Sequence, residues 1–227
     1  MSKPILFIIP GACSLGSQIT LEWLDIPYQV GITTPEIRQT NAFRKVNPAG
    51  KVGALKDGDV VVGENLAILL YLVDNFTTQE YCLAKQPAEL VKIHQWLSYL
   101  SSTLHPAFQH FNYPIRFVGE NYVEEFRQLA FERLSAILDY IEQNLQPSGF
   151  FLGDHPTIVD AQAFALLRWC QKHNRGENLV DLTNYPRILQ FLTQMRELQA
   201  VKNALLIENN QAEQLTNSKF AGYFVFD

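Results

Sequence analysis

The sequence has few cysteines, and their spacing excludes two classes of protein. Its 227 residues contain three, Cys13, Cys82 and Cys170, without a Cys-x-x-Cys pair. An odd number of widely separated cysteines predicts neither a disulfide framework nor a zinc site. Any cysteine chemistry in this chain would therefore be that of a single thiol.

Positive charge is also scarce. Lys and Arg number 18 against 23 Asp and Glu, which gives a formal net charge of −5. The basic residues are scattered singly or in pairs such as Arg44-Lys45, so the chain lacks the basic stripe typical of nucleic-acid binding. We expect no nucleic-acid partner.

Histidines do not form a metal-ligand pattern. His105 and His110 are five residues apart, which does not place them on one helix face. We expect no metal. A lone His105 on a helix is more often a structural residue than a functional one, and both interpretations stay open at this point.

Long apolar runs are missing as well. The run at residues 5–9 ends at Pro10-Gly11, which is too short for a signal-peptide core or a membrane span. We therefore expect a soluble, cytoplasmic protein without a membrane segment.

The first 78 residues alternate between strand and helix patterns. Apolar spacing predicts strands at 5–9, 28–32, 52–56 and 59–62, and helices at 14–25, 40–46 and 66–76. Asp57-Gly58, between the last two strands, is typical of a hairpin turn. This order predicts a thioredoxin-like domain with a mixed four-stranded sheet over residues 1–78.

Helical patterns replace strand patterns in the rest of the chain. Residues 79–88 are polar and predict a linker, and residues 89–227 predict an all-helical domain. Its helices are expected at 88–112, 121–145, 158–173, 185–198 and 200–207. Thr157 and Asp160 form the pattern of a structural capping box. The aromatic end at 220–226 would either pack back on the protein or remain a frayed end.

The stretch Pro10-Gly-Ala-Cys-Ser14 is the sharpest local feature. It follows the first predicted strand and opens the first predicted helix. Unpaired amides and the helix dipole favour an anion there, which predicts a lowered pKa and a reactive thiolate for Cys13. The alternative is a buried structural cysteine beside a Ser14 that only caps the helix.

Two further places offer polar groups for a ligand. The turn Asn47-Pro-Ala-Gly50 leads into Lys51 and Val52 at the start of a predicted strand. Glu64 and Asn65 begin a predicted helix, where a carboxylate and free amides could hold an amino-acid-like end group. Each of these is also compatible with an ordinary helix cap or turn.

Together these stretches resemble the bacterial beta-class glutathione transferases. The matching pieces occur in one order along the chain: 10–15, 46–50, 63–68 with Tyr71, 95–97 with Ser101-Ser102 and Leu104-His105, 152–154, and 157–161. The match is collinear from about residue 5 to 207. The resemblance implies a thioredoxin-like domain with a glutathione site, followed by an all-helical domain.

For the thiol, the resemblance implies a catalytic group of three residues. Cys13 would face the glutathione sulfur and form a mixed disulfide with it. Ser14 would be its neighbour at the helix start, and His105 would be contributed by the helical domain.

For the ends of the tripeptide, the resemblance implies a second set of residues. Val52, next to Lys51, would hold the cysteinyl backbone through strand-like hydrogen bonds. Glu64 with Asn65 would hold the γ-glutamyl end, and Arg38 would lie near the glycine carboxylate.

The resemblance also implies an acceptor substrate and an assembly. A small hydrophobic electrophile would enter between the domains, against Tyr99, His105, Phe108 and Phe111. Similar proteins are usually cytoplasmic homodimers, and a role in detoxification follows from the same likeness.

The chain departs from the family pattern at one position of the site. Relatives have a cis proline after the valine, whereas this chain has Val52-Gly53. The bond is therefore either cis before glycine or trans, which would move the Val52 amide. Relatives often carry a tyrosine where this chain has Phe7 and Ile8, so no phenol would activate the thiol from the first strand.

Two functions remain open at this stage, besides a two-domain protein without a glutathione site. The first is an enzyme that conjugates glutathione to small electrophiles, or exchanges thiols and disulfides through Cys13. The second is a non-catalytic interaction or regulatory module whose site has decayed at Gly53.

Overall fold

The computed structural model describes residues 3–76, 87–171 and 179–226. Its strands are β1 (Ile5–Ile8), β2 (Tyr28–Ile32), β3 (Ala54–Asp57), β4 (Val60–Gly63) and β5 (Phe220–Tyr223). Its helices are α1 (Leu15–Leu24), α2 (Pro35–Gln39), α3 (Asn41–Val46), α4 (Asn65–Phe76), α5 (Pro87–Tyr99), α6 (His105–Asn112), α7 (Val123–Asn144), α8 (Ile158–Leu167), α9 (Pro186–Glu197) and α10 (Gln199–Glu208). A mixed sheet with helices precedes a helical bundle, which confirms the predicted fold class.

Strand β1 lies at the centre of the sheet. It pairs in parallel with β2 and antiparallel with β3, and the strand order is β4-β3-β1-β2-β5. Leu6, Phe7 and Ile8 are all buried, because both faces of the strand are covered. β3 and β4 form the hairpin predicted at Asp57-Gly58. Gly58 has a φ of +59°, a conformation that glycine adopts without steric cost.

The sheet has five strands rather than the four predicted, because the chain end returns to it. β5 runs parallel to β2, and the Phe224 N–H donates to the Val30 carbonyl over 2.8 Å. The rings of Phe224 and Phe226 pack on Phe7, with centroid distances of 5.7 and 5.2 Å. The aromatic tail therefore packs as part of the sheet. It is neither a frayed end nor a cover over the cleft between the domains.

Glu22 on α1 attaches the tail from the other side. Its carboxylate accepts hydrogen bonds from Ser218 Oγ at 2.6 Å, Asn203 Nδ2 at 2.8 Å and Tyr28 Oη at 2.5 Å. These donors come from the tail, α10 and β2. One carboxylate therefore connects α1 to the neighbouring strand β2 and to two segments that are distant in sequence.

The first bundle helix contains a π-helical turn. The sequence predicts one helix over 88–112, and the structure has α5, a π turn at Leu100–Leu104 and then α6. The His105 N–H donates to the Leu100 carbonyl, five residues earlier. Pro106 has no amide to donate, which removes one α-helical hydrogen bond at this point. Such turns are frequent at functional sites.

The remaining predicted helices are present: α7, α8 and α9 are shorter than predicted, whereas α10 extends slightly beyond the predicted range at both ends. The segment predicted at 158–173 ends as α8 at Leu167 and continues as a 3₁₀ turn, Arg168–Cys170. The capping box is confirmed, since Val159 N donates to Thr157 Oγ1 and Thr157 N donates to Asp160 Oδ2. Most of the linker predicted at 79–88 lies outside the described residues. None of the helices described is long and apolar enough to cross a bilayer.

The tail packing makes a prediction for stability. Phe224→Ala should lower the free energy of unfolding by about 2–4 kcal/mol, because it removes a partly buried ring from the sheet. Val225, which is 77% exposed, is the matched control, and Val225→Ala should change the same quantity by less than about 0.5 kcal/mol. Urea denaturation measures both. Equal stability of the two variants would mean that the tail does not pack on the sheet.

Candidate active site

A cavity of about 1070 Å³ lies between the sheet domain and the helical bundle. One wall consists of the loop after β1, residues 49–53 and Glu64. The opposite wall consists of α6, residues 113–117 and Trp169. This volume is at the upper end of the range for small-molecule sites, about 300–1,000 Å³.

Cys13 lines this cavity but lies outside the first turn of α1. The helix begins at Leu15, and Cys13 is only 7% exposed. Burial raises the pKa of the Cys13 thiol to about 11, and the nearby Glu64 carboxylate adds to the rise. Backbone N–H groups of Cys13 and Gly53, and the charge of Arg168, lower the pKa only in part. The prediction of a lowered pKa was wrong, because desolvation outweighs the helix terminus.

Ser14 follows Cys13 at the start of α1, as expected, but it does not share the cavity with the thiol. Its side chain is fully buried and does not line the cavity. Its hydroxyl makes no capping hydrogen bond and has no partner among the described residues. Ser14 packs near Gly53, where an added Cβ atom would lie 3.6 Å from the Ser14 Cβ atom, and this burial is set by tertiary packing that the sequence does not display.

His105 is the first residue of α6 and lies on the opposite wall. Its ring is 5.3 Å from the Trp169 ring, and its Nε2 atom is 3.3 Å from Gln109 Nε2. Burial lowers the pKa of His105, and the charge of Lys51 lowers it further. The imidazole is therefore neutral at pH 7, with one nitrogen able to accept a proton.

The turn before β3 brings Lys51 and Val52 to the cavity. Asn47 holds the turn, because its Nδ2 donates to the Lys51 carbonyl over 2.8 Å and its Oδ1 accepts from the Ala49 N–H. The Val52–Gly53 peptide bond is cis, which is one of the two conformations that the sequence left open. Both Lys51 and Val52 line the cavity.

Glu64 lies at the cavity edge in an unusual conformation. Its φ is +64°, a left-handed value that costs a residue with a side chain roughly 1–2 kcal/mol. Strained residues of this kind concentrate at functional sites. Its side chain is exposed and lines the cavity, so the carboxylate is available to a ligand.

Asn65, in contrast, makes its side-chain hydrogen bonds in the protein interior. Ser17 Oγ donates to Asn65 Oδ1 over 2.6 Å, and Asn65 Nδ2 donates to Gln162 Oε1. Asn65 is buried and does not line the cavity. The predicted contact of its side chain with glutathione is therefore corrected, since both polar atoms join α4 to α1 and α8.

Arg38 lines the cavity from α2. Its Nη1 atom is 3.4 Å from both the carbonyl and the hydroxyl oxygen of Thr33. These long contacts leave the other guanidinium nitrogen, Nη2, available to a ligand. Arg38 and Lys51 thus place positive charge in a cavity that also contains the Glu64 carboxylate.

Of the four residues expected around the acceptor substrate, two line the cavity. His105 and Phe108 line the cavity, whereas Tyr99 packs against Trp96 and Tyr140. Residues six apart lie about 120° from each other around an α-helix, so Tyr99 and His105 do not share a face. Phe111 lies on another side of α6 and packs against Phe131.

Other aromatic residues occupy the place expected for Tyr99 and Phe111. Tyr113 and Phe117 are large exposed side chains at the cavity, and Arg116 lies 4.1 Å above the Tyr113 ring. Trp169 completes this wall. A proline at position 114, directly after a predicted helix, was a signal for the loop that carries Tyr113 and Phe117. Nothing in the local sequence marks Trp169.

The buried thiol makes a prediction for its pH dependence. The pKa of Cys13 is about 11. As the pH rises towards that value, the thiolate fraction of Cys13 increases about tenfold for each pH unit. Alkylation of Cys13 by iodoacetamide, mapped by peptide mass, should be slow at neutral pH and still accelerating at pH 10. A cysteine-containing peptide, with an ordinary pKa of about 8.5, should level off earlier. A midpoint near neutral pH would contradict the burial of the thiol.

Comparisons with known proteins agree with this geometry. Residues 17–80 match the model of the glutathione S-transferase N-terminal domain, and residues 124–194 match that of the C-terminal domain. The chain is 28% identical over 207 residues to glutathione S-transferase GstA of Escherichia coli O157:H7, covering 89% of this chain and 98% of that protein.

Two solved structures extend the likeness. A sphingomonad glutathione S-transferase complexed with glutathione has a TM-score of 0.77 at 28% identity, over 90% of this chain and 98% of that one. A bacterial beta-class enzyme of Sphingomonas chungbukensis has a TM-score of 0.76 at 27% identity, with the same coverage. With both domain models matched over more than half of its length, this chain belongs to the glutathione S-transferase family and resembles its bacterial beta class.

Proposed function

We propose that this protein is a glutathione transferase that joins glutathione to small electrophiles in the cavity between its domains. One observation carries the proposal: the cavity brings the Cys13 thiol, a neutral His105 and charged groups of both signs together. Glutathione has a thiol between an amino-acid end and a carboxylate end, and it therefore needs such a combination.

The charges of the cavity suit the two ends of the tripeptide. Glu64 offers a carboxylate to the γ-glutamyl ammonium group, and Arg38 and Lys51 offer cations to the glycine carboxylate. Hydrogen bonds between ionised partners are roughly twice as strong as neutral ones. The backbone of Val52 lies in the same wall and is available to the cysteinyl residue between the two ends.

The buried Cys13 makes conjugation the favoured reaction. With a pKa of about 11, Cys13 is almost entirely protonated at pH 7 and is a poor nucleophile. The attacking sulfur is therefore that of glutathione. Its thiol proton passes to the neutral His105, the sulfur bonds to the electrophilic carbon, and the leaving group departs with the bonding electron pair.

Thiol exchange through Cys13 is the slower route on the same site. The small thiolate fraction of Cys13 attacks the glutathione sulfur of a mixed disulfide between glutathione and a second thiol, which forms a Cys13–glutathione disulfide and releases the second thiol. A second glutathione then attacks that bond, restores Cys13 and leaves as oxidised glutathione. The chain offers no second cysteine in a Cys-x-x-Cys pair, so a monothiol route is the one available.

The acceptor substrate is a small hydrophobic electrophile. The wall opposite Cys13 has an aromatic surface, formed by Phe108, Tyr113, Phe117 and Trp169. Aromatic side chains bury large apolar areas and stack on flat rings. A role in detoxification of such compounds, in the cytoplasm, is part of the proposal.

A homodimer is the proposed assembly. Exposed apolar side chains occur on β4, at Val60 and Val61, and on α5, at Leu90 and Val91. Exposed apolar surface of this kind often marks a contact between subunits. The alternative of a non-catalytic module is not favoured, because the cavity retains the charged and thiol groups that a decayed site would not need.

The two routes make different predictions for Cys13→Ala. Oxidised glutathione should add one glutathione to the native protein, mapped to Cys13, and Cys13→Ala should lose this adduct and the exchange activity. Conjugation of an aromatic chloronitro compound should fall by less than about threefold, because a protonated thiol is not its nucleophile.

Cys170→Ala, which removes the second buried thiol of the described residues, is the control and should keep the adduct. If neither the adduct nor any conjugation is found in the native protein, the proposed function is wrong.

Glu64 tests the binding of the tripeptide. Glu64→Gln should raise the KM and the calorimetric Kd for glutathione about 10- to 100-fold, because a charged hydrogen bond contributes about 1.5–3 kcal/mol. Asp59→Asn, on the exposed turn of the neighbouring hairpin, should change neither constant. Equal values for the two variants would exclude Glu64 from the site.

A further inference from the structure

A buried ion pair joins the end of α10 to the turn after α8. Arg168 Nη1 is 2.7 Å from Glu208 Oε2, and Arg168 Nη2 is 2.9 Å from Glu208 Oε1. The side chains are 10% and 5% exposed, respectively. Both partners belong to the helical part of the chain, and no local sequence pattern marks either of them.

The pair also holds the backbone of the loop that precedes Cys13. The Gly11 N–H donates to Glu208 Oε1 over 2.7 Å, and Arg168 Nη2 donates to the Ala12 carbonyl over 3.2 Å. The neighbouring Trp169 Nε1 donates to the Gly11 carbonyl over 2.8 Å. Three backbone groups next to Cys13 are thus bound by side chains more than 150 residues away.

The loop has little secondary structure of its own. Within it, the Ala12 N–H donates to the Ile9 carbonyl, and Gly11 has a φ of +83°. Neither β1 nor α1 includes residues 9–14. On the side of α1, the N–H groups of Leu15 and Gly16 donate to the Ala12 and Cys13 carbonyls over 3.4 and 3.2 Å. On the side of β1, the contacts of Gly11 and Ala12 with the helical domain complete the support of the loop.

Stability alone is a weak explanation for the pair. A buried ion pair often contributes no more stability than well-packed apolar side chains of the same volume. An apolar pair could not, however, bind the Gly11 amide or the Ala12 carbonyl. What the charges add is a fixed position for the loop.

We propose that Arg168 and Glu208 are positioning residues for thiol–disulfide exchange at Cys13, which they serve by fixing the backbone of Gly11 and Ala12 and thereby the place of Cys13. This inference rests on the proposed function. The groups offered to the ends of glutathione, Arg38, Lys51 and Glu64, are not on this loop. Loss of the ion pair should therefore slow the formation of the Cys13–glutathione disulfide and leave the binding of glutathione unchanged.

The test uses an apolar replacement of both charges, so that neither is left buried alone. The variant Arg168→Met/Glu208→Leu should fold, with amide hydrogen exchange of residues 11–13 accelerated at least about tenfold. Formation of the Cys13–glutathione disulfide should slow about 10- to 100-fold, because a small displacement of reacting groups has an effect of that size. The KM for glutathione should stay within about twofold of the native value.

Two controls separate positioning from stability. Lys202→Met/Glu197→Leu removes an exposed ion pair of 2.9 Å between α9 and α10. This variant should leave the amide hydrogen exchange of residues 11–13 and the rate of adduct formation unchanged. Thr157→Ala removes the cap of α8 and lowers the melting temperature without contact with the loop, and it should keep the native adduct rate. In Arg168→Lys one ammonium replaces two guanidinium nitrogens, so the adduct rate should lie between those of the native protein and the apolar variant.

The outcomes distinguish this proposal from the proposed function. Amide exchange and iodoacetamide alkylation of Cys13 need no glutathione, so they test the loop even if the native protein forms no adduct. If the apolar variant keeps native exchange at residues 11–13, or native rates of adduct formation and alkylation, the positioning role is overturned. A parallel loss of adduct rate in Thr157→Ala would also overturn it, because stability alone would then account for the effect.

Discussion

Helix α1 packs against the sheet and against the helical bundle, and the site depends on that double contact. Leu15 and Ile19 belong to the apolar cluster of the bundle, whereas Leu21 belongs to the cluster of the sheet and α10. A Cβ atom at Gly16 would lie 2.9 Å from the Gln162 Cα on α8, so any larger residue would push the two helices apart. Since α1 follows the Cys13 loop directly, this close packing sets where one wall of the cavity meets the other.

Polar contacts extend the same constraint. Asn65 joins α4 to α1 and α8, and Arg168 with Glu208 joins the bundle to the loop after β1. The helical domain therefore supplies more than a surface for the acceptor substrate, because it also holds the loop that carries the thiol. The burial that results keeps Cys13 protonated at neutral pH. In the proposed reaction glutathione supplies the reactive sulfur. The protein supplies charged groups for the ends of the tripeptide, a proton acceptor and an aromatic wall.

Local patterns predicted the parts of the fold that depend on neighbours in sequence: the central strand, the Asp57-Gly58 hairpin and the Thr157 capping box. Features fixed by distant contacts were not predictable in this way. β5 is four residues long and pairs with a strand about 190 positions away, so no periodicity reveals it. Ser14 and Asn65 have suitable chemistry at suitable positions, but packing turns their side chains inward. The family likeness assigned six residues to one glutathione site, and the structure places all of them along one cavity, because this geometry follows from the fold: Cys13, His105, Arg38, Lys51, Val52 and Glu64.

A crystal structure of the glutathione complex tests most directly whether this cavity is a glutathione site. We expect the sulfur beside Cys13 and within reach of His105, the γ-glutamyl ammonium group at Glu64, and the glycine carboxylate at Arg38 or Lys51. A tripeptide bound in the reverse direction, with its sulfur turned away from both Cys13 and His105, would contradict the proposed chemistry. Glutathione bound outside the cavity would contradict the site itself.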